Sequence, residues 1–146
     1  MIEPLRISCE VACSPDHAFR TWTERASAWW PPDHTASHEP GAEIVFEPRP
    51  GGRIYERTPN GLEIAWGEIT EWEPPRRLAY RWQIATDPAN PTKVEIVFRG
   101  LPDAKTRVEI EHGGWDDLGE IGEAWREANQ AGWDGVLPSY RSALAG

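Results

Sequence analysis

The chain has 146 residues and carries 24 acidic against 15 basic side chains, a formal net charge of −9. Nucleic acids and anionic membranes are bound through a basic face, so this charge argues against both as partners. No stretch approaches the roughly 20 consecutive apolar residues of a membrane span, and the N-terminal MIEPLRISCE lacks the basic and apolar regions of a signal peptide. We therefore expect a cytoplasmic protein whose residues 1–146 form a single domain.

The first predicted elements are a strand and a helical segment. Residues 5–13 alternate between apolar or small and polar side chains, as in a strand with one buried face. Ser14, Pro15 and Asp16 predict a helix start, because serine can cap, proline fits the first helical position and aspartate complements the helix dipole. The helical segment ends at Pro31, and we predict one helix or a short broken pair. Its apolar residues follow at spacings of three and four: Phe19, Trp22, Ala26, Trp29 and Trp30.

A series of short strands follows, separated by turns rich in proline and glycine. The turns include Pro50-Gly51-Gly52, Pro59-Asn60-Gly61 and Pro74-Pro75. Because the strands are joined by hairpin turns, the predicted sheet is antiparallel. The predicted strands are residues 44–46, 53–58, 62–72, 77–84, 92–99 and 106–112.

The tail of the chain is predicted to be helical. One apolar stripe runs through residues 118–128, and a second begins after Gly132 and ends at Leu144. Pro138 is unfavourable in a helix interior because it lacks the backbone N–H and clashes with the preceding turn. A final helix capped by Asp134 would tolerate Pro138, since only the first intrahelical hydrogen bond is lost.

Five blocks of sequence, in this order, resemble the family of homologues of the activator of the heat-shock protein ninety ATPase, a branch of the START-like (SRPBCC) superfamily. The resemblance covers residues 5–145 and is specific because the blocks come in the family's order at compatible spacing. The blocks are WWPPDH from Trp29, EPRPGGRIYER from Glu47, NGLEIAWGEITEWEPPRRLAYRWQI from Asn60, TRVEIEHGGW from Thr106 and the GW pair at Gly132.

The resemblance implies an α+β protein with the helix-grip fold. In that fold a curved antiparallel sheet, here of about six or seven strands, wraps around a long C-terminal helix, and two short helices follow the first strand. The resemblance also implies a hydrophobic cavity between the sheet and the final helix. The leading hypothesis is that a small hydrophobic or aromatic molecule binds in this cavity, without robust catalysis and without a cofactor.

Inward-facing side chains would form the wall of such a cavity, although each of them can equally well fill a solid core. Tyrosine differs from the aliphatic residues because a buried phenol needs a hydrogen-bond partner, which in a pocket can be the ligand. The Trp-Trp pair could form an aromatic wall, with the following histidine closing the mouth. The candidate ligand-binding residues are Trp29, Trp30, His34, Tyr80, Trp82, Phe98, His112, Trp133, Leu137 and Tyr140.

An enzyme of the cyclase or dehydratase kind is an alternative, with His112 as the acid or base. His112 shares the inner face of its strand with Val108 and Ile110, and histidine titrates near neutrality. Glu56 and Glu68 are weaker candidates, because strand alternation does not settle which way they point and a bulge near Gly67 would change the answer.

No metal site is expected. His34, His38 and Glu39 lie close in sequence, but the surrounding prolines favour a loop and no third ligand is fixed by the spacing. A cochaperone that stimulates a heat-shock ATPase is a further alternative suggested by the family name. The eukaryotic activators carry an additional N-terminal domain, for which 146 residues leave no room. We expect a small apolar ligand as partner and a monomer or weak dimer.

Overall fold

A computed structural model describes residues 2–83 and 91–145. These residues form seven strands, three α-helices and two short 3-10 helices. The strands are β1 Leu5–Val11, β2 Glu43–Phe46, β3 Arg53–Arg57, β4 Glu63–Glu73, β5 Arg77–Trp82, β6 Thr92–Leu101 and β7 Lys105–Gly113. The α-helices are α1 Pro15–Glu24, α2 Ala26–Trp29 and α3 Gly122–Ala145, and the 3-10 helices are Pro32–His34 and Trp115–Ile121.

The seven strands form one antiparallel sheet in the order β1-β7-β6-β5-β4-β3-β2. Strands β2 to β7 form a meander of hairpins, and β1 joins its free edge beside β7. Strand β5 ends at Trp82, one residue before the described part of this segment ends, and the predicted strand end at residue 84 lies outside the described residues. The short helices begin as predicted, since Ser14 Oγ accepts a hydrogen bond from His17 N at 3.2 Å and Pro15 is the first helical residue.

A β-bulge in β4 determines which side chains in the middle of the sheet point inward. Ile54 pairs with Gly67 and the next residue, Tyr55, pairs with Ala65, so that Trp66 is an extra residue on β4. Trp66 is fully buried. Because a bulge interrupts the two-residue alternation, simple alternation along β4 does not predict which side chains face inward.

The inner face of the sheet is covered by α1, α2 and α3. Phe19 of α1 meets Phe98 of β6 with ring centroids 5.2 Å apart. Trp133 of α3 meets His112 of β7 at 6.0 Å. This is the α+β helix-grip arrangement that the sequence resemblance implies, and it confirms the predicted fold class. The space under the helices is filled by a group of buried rings that we call the aromatic core: Phe19, Trp22, Trp29, Trp66, Tyr80, Phe98 and Tyr140.

The C-terminal helix differs from its prediction. Helix α3 is continuous over 24 residues with Pro138 in its interior, so a final helix that starts at Asp134 is wrong. An interior proline costs about 3 kcal/mol in an isolated helix. Tertiary contacts next to the proline offset this cost: Ser139 Oγ donates a hydrogen bond to the Trp29 carbonyl, and the Tyr140 hydroxyl donates to the Ala18 carbonyl at 2.8 Å. Among the described residues, no helix is both long and apolar enough to span a membrane.

Candidate functional site

A cavity of about 300 Å³ opens between α3 and the segment that follows α2. Four of the nine tryptophans of the chain line it, and we call it the tryptophan cavity. A larger hollow of about 620 Å³ lies on the outer face of the sheet, but charged side chains such as Lys93 and Glu95 line it, which does not suit an apolar ligand. The tryptophan cavity is lined by Trp30, His34, Thr35, Ala36, His38, Trp82, Trp125, Ala128, Asn129, Gly132, Trp133 and Val136.

One wall of the cavity is the segment of residues 31–39, which we call the rim loop. Pro31 and Pro32 stiffen its start, and His34 N donates to the Pro31 carbonyl at 3.0 Å. Trp30 Nε1 donates to the His34 carbonyl at 3.1 Å. Thr35 Oγ1 donates to the Pro32 carbonyl and accepts from His38 N, both at 2.9 Å. The rim loop is therefore held by its own hydrogen bonds, and His38 is fixed with a positive φ of 58°.

Glu56 attaches the rim loop to the sheet. Its side chain is 0% exposed. One carboxylate oxygen accepts from Ala36 N at 2.6 Å and from Trp66 Nε1 at 2.8 Å, and the other accepts from Ser37 Oγ at 2.6 Å. Both oxygens are occupied by protein donors, so the weak candidate role of Glu56 as an acid or base has no free atom to act through. Glu56 positions the wall of the cavity.

His34 brings a polar atom to the cavity wall. Its side chain is 27% exposed, and Nδ1 lies 2.9 Å from Asp33 Oδ1. This hydrogen bond lowers the pKa of the Asp33 carboxyl below its usual value. The ring rests on α3 at Gly135, where an added methyl group would lie only 2.6 Å from His34 Nε2. Glycine at this position therefore permits the close approach of the imidazole to the helix.

Asn129 of α3 supplies amide groups to the cavity wall. Its Nδ2 donates to the Trp125 carbonyl at 2.9 Å, one turn earlier in the helix. A side-chain amide has two N–H donors and one oxygen acceptor. Among the described residues no other hydrogen bond is made by this side chain, so one N–H and the oxygen can serve a ligand.

His112 does not line the cavity, although it faces inward as predicted. Trp133 Nε1 donates to its Nδ1 at 3.1 Å, so the ring proton is on Nε2, which lies 2.8 Å from Thr92 Oγ1. Thr92 Oγ1 in turn donates to the Trp82 carbonyl at 3.2 Å. Burial lowers the pKa of His112 to about 3. A neutral imidazole with both nitrogens occupied cannot exchange protons with a ligand, so the geometry does not support the acid–base role considered for His112.

The other candidate residues separate into two groups. Trp30, His34, Trp82 and Trp133 line the tryptophan cavity. The remaining five lie in the hydrophobic core and not on the cavity wall: Trp29, Tyr80, Phe98, Leu137 and Tyr140.

Glu68 is on the other side of the sheet. Its exposed carboxylate lies 3.2 Å from Arg81 Nη1, on the outer face and away from the cavity. Glu56, on the neighbouring strand, points inward, and the bulge at Trp66 is the physical reason that the two differ. The weak catalytic candidacy of Glu68 is therefore not supported by its position.

Two buried phenols show how the core differs from a ligand site. Burial raises the pKa of both Tyr80 and Tyr140. The Tyr140 hydroxyl is satisfied by the Ala18 carbonyl, whereas the Tyr80 hydroxyl has no hydrogen-bond partner among the described residues. Trp22 Nε1 is likewise a buried donor for which no hydrogen bond is found among the described residues.

Sequence reasoning missed the helix face that completes the cavity. Trp125, Asn129, Gly132 and Val136 follow one another at spacings of three and four on α3. The signal was present, but a helix divided at Asp134 splits this face in two. In residues 2–83 and 91–145, no group of three or more histidine, cysteine or acidic side chains is placed to hold a metal ion.

Comparison with known proteins places these features in a family. The family model described as Activator of Hsp90 ATPase homolog 1-like protein matches residues 12–144. No curated protein matches the sequence. Three similar solved structures follow, and the sequence identity of each determines whether the likeness goes beyond the fold.

The first is an anthrahydroquino-gamma-pyrone synthase, Txn09, complexed with SUM, which is 36% identical over 84% of this chain and 84% of that chain, with a TM-score of 0.62. The second is CalC, a self-sacrificing resistance protein from Micromonospora echinospora, which is 27% identical over 97% and 94% of the two chains, with a TM-score of 0.73. The third is PFC0360w, an HSP90 activator from Plasmodium falciparum, which is 15% identical over 99% and 97%, with a TM-score of 0.70. At that identity the third likeness shows the fold alone.

Proposed function

From the premise that this chain belongs to the family of Activator of Hsp90 ATPase homolog 1-like proteins, we propose that it binds a small planar aromatic molecule in the tryptophan cavity. The observation that carries the proposal is the concentration of four indole rings around one cavity of about 300 Å³. This volume lies at the lower end of typical ligand pockets, which favours a compact ligand.

The chemistry of the wall favours an aromatic ligand over an aliphatic one. Trp30 and Trp82 lie with ring centroids 6.1 Å apart and their planes tilted by 47°, so both can contact one inserted ring system. Ring contacts of this kind contribute about 0.5–1.5 kcal/mol beyond the burial of apolar area. The polar groups of the wall are few and come from the rim loop and Asn129, so they can orient a ligand oxygen.

The similar synthase supports the same ligand class. It is a protein whose described activity concerns an anthrahydroquino-gamma-pyrone, a fused ring system, and it shares 36% of its residues with this chain over the matched part. A chaperone partner is supported only by the family description, because the likeness to the Plasmodium activator is a likeness of fold alone.

Calorimetric titration with 2-naphthol tests the proposal. We expect saturable binding with a dissociation constant on the order of 10 µM, and binding at least tenfold weaker for decahydro-2-naphthol, which has a similar skeleton without aromatic faces. The absence of saturable 2-naphthol binding, or equal affinity for the two compounds, would contradict the proposal.

A matched pair of variants locates the binding. Trp125→Leu removes one ring of the cavity wall and should weaken 2-naphthol binding about five- to tenfold. Trp72→Leu is the control, because Trp72 is also partly buried but packs against Phe19, with ring centroids 5.1 Å apart, and does not line the cavity. Equal weakening in both variants would mean that the ligand binds elsewhere.

A further inference from the structure

We propose that His34, oriented by Asp33, is a proton acceptor for the ligand, so that the protein catalyses enolisation of a planar aryl-fused ketone in the tryptophan cavity. This inference rests on the proposed function and names the substrate class and the reaction of the same site. It replaces His112, whose nitrogens are both occupied, with a histidine that lines the cavity.

The first step of the argument is the tautomer of His34. An ionised carboxylate only accepts hydrogen bonds, so the 2.9 Å contact with Asp33 Oδ1 places the ring proton on Nδ1. Nε2 of the neutral ring then carries a lone pair. Among the described residues no hydrogen bond to Nε2 is found, so this nitrogen is free to accept a proton.

The second step is the position of that nitrogen. His34 lines the cavity together with Gly132 and Trp133 of α3, and its Nε2 edge lies over Gly135. Any larger residue at 135 would place a methyl group 2.6 Å from Nε2 and displace the ring. The glycine thus lets the Nε2–Cε1 edge of the ring pack closely against α3, beside the cavity that His34 lines.

The third step is preorganisation. The His34 backbone is held on both sides, because its N–H donates to the Pro31 carbonyl at 3.0 Å and its carbonyl accepts from Trp30 Nε1 at 3.1 Å. Glu56 fixes the next part of the rim loop through Ala36 N at 2.6 Å. A base that is fixed before the ligand arrives loses little entropy on binding, which is what proton transfer in a binding site requires.

The fourth step is a partner for the ligand oxygen. When a C–H next to a carbonyl loses its proton, negative charge develops on the carbonyl oxygen. The second N–H of the Asn129 amide is free to donate to that oxygen, since the first donates to the Trp125 carbonyl. The cavity therefore contains both an acceptor for the proton and a donor for the developing oxyanion.

The step balances without an oxidant or reductant. His34 Nε2 takes the proton from the α-carbon, the electron pair of the broken C–H bond becomes the C=C bond of the enolate, and the carbonyl π pair moves to oxygen. The ring keeps its Nδ1 hydrogen bond to Asp33 and passes the proton on Nε2 to solvent through its exposed part. Return of a proton to carbon restores the ketone, so in D₂O the net reaction is exchange of hydrogen for deuterium.

The experiment follows loss of the C1 proton signal of 2-tetralone in D₂O by NMR with the full chain. We expect saturable exchange faster than in buffer, and a fall in kcat of about 10²-fold or more in His34→Gln. The ¹H–¹⁵N indole signals of the buried Trp22 and Trp115 should keep their parental positions in His34→Gln, which shows that the variant is folded. His17→Gln, an exposed histidine of α1, is the control and should exchange like the parent chain.

Two further variants separate positioning from a general structural effect. Asp33→Asn should lower kcat about tenfold or more with little change in KM, because Asp33 acts through His34 and not on the ligand. Gly135→Ala should reduce the exchange rate by at least tenfold while helix α3 gains up to about 1 kcal/mol in intrinsic stability. Parental exchange rates in both variants would overturn the inference.

The outcomes distinguish this inference from the proposed function. Saturable binding of 2-naphthol and 2-tetralone without exchange above the buffer rate overturns the inference and leaves the proposed function standing. Exchange that survives His34→Gln but is lost in His38→Gln also overturns it, because another base is then responsible. Failure of both compounds to bind overturns the proposed function and this inference together.

Discussion

The aromatic core and the tryptophan cavity are both built from tryptophan side chains, but in the core the rings fill the space and in the cavity they surround an open one. In the core, Trp22 is 0% exposed and meets Trp29 at 5.2 Å and Tyr140 at 4.8 Å between ring centroids. In the cavity, Trp125 lies about three to four turns before the core residues Leu137 and Tyr140 of α3 and has an open face. A tryptophan therefore does not mark a binding site by its type. Whether a tryptophan can contact a ligand depends on whether another ring or an open space lies opposite it.

Two features keep the cavity open where the core is closed. On α3 the small residues Ala128 and Gly132 face the cavity, whereas Leu137 and Tyr140 face the core. On the opposite side, Glu56 holds the rim loop by hydrogen bonds to Ala36 and Ser37. Small residues on one wall and a fixed loop on the other leave a space that the surrounding rings do not fill.

The largest expected effect is on stability and separates the two regions. Trp22→Ala should lower the free energy of unfolding by about 3–5 kcal/mol, because it leaves a void among packed rings. Trp125→Ala should cost about 1 kcal/mol, since one face of its ring already borders open space. Urea unfolding of both variants measures the difference. Equal costs would mean that the cavity is packed like the core.

The stability of the folded chain should depend on pH through His112, which lies between the core and the cavity. Its folded pKa is about 3, below the ordinary value of 6.5, so between these values the unfolded chain binds more protons. The contribution of His112 to stability is complete above about pH 6.5 and is lost as the pH falls towards 3, by about 3 kcal/mol between pH 6.5 and 4.

His112→Gln isolates this contribution from the carboxylates, which also titrate in acid. At pH 7 the variant should be about 2 kcal/mol less stable, because hydrogen bonds to Trp133 and Thr92 are lost or weakened. At pH 4 the difference between the two chains should vanish or change sign. Urea unfolding at both pH values tests this, and a difference that is constant with pH would contradict the assignment of a neutral, buried ring.

Glu56 and Glu68, on neighbouring strands, test whether the cavity depends on the attachment of the rim loop to the sheet. Glu56→Gln should cost about 1–3 kcal/mol, because an amide cannot accept from all the donors that surround the buried carboxylate. It should also weaken 2-naphthol binding, since the rim loop loses its anchor.

Glu68→Gln is the matched control for Glu56→Gln. Glu68 is exposed and, among the residues that the structure describes, pairs only with Arg81 on the outer face, so its change should stay within about 0.5 kcal/mol and leave binding unaltered. Urea unfolding and calorimetric titration give both quantities. Equal effects of the two substitutions would refute the role of Glu56 as the anchor of the cavity wall.

The smallest effects concern single hydroxyl groups in the core. Tyr140→Phe should cost about 1 kcal/mol, because the Ala18 carbonyl loses its donor. Tyr80→Phe should cost less than this or be stabilising, because among the described residues its buried hydroxyl makes no hydrogen bond of normal length and only Trp22 approaches it as a donor. The order of the two urea midpoints checks this. A Tyr80→Phe variant less stable than Tyr140→Phe would show that Tyr80 has a partner after all.

The sequence predicted the fold better than the site, and particular residues show why. Strand alternation and the Pro-Gly turns are local signals, so the strands of the meander follow from them directly. The bulge at Trp66 is not a local signal, because an extra residue is visible only against the partner strand. The opposite directions of Glu56 and Glu68 therefore could not be derived.

The site depends on contacts between distant parts of the chain. Aromatic character and position in the predicted elements are enough to predict Trp30 and Trp82 as wall residues. That His34 rests on Gly135, or that Trp133 and Thr92 occupy both nitrogens of His112, follows from packing across the fold. The proline rule was also outweighed by tertiary contacts at Ser139, which hid the continuous face of α3.

The central claim is that the ligand binds beside the rim loop and not in the interior of the core. The nine indole N–H groups give separate reporters in a ¹H–¹⁵N correlation spectrum of the chain titrated with 2-naphthol. The signals of Trp30, Trp82, Trp125 and Trp133 should shift together and saturate, while those of Trp22 and Trp115 stay in place. Shifts centred on Trp22, or no saturable shift at the four cavity tryptophans, would contradict the claim.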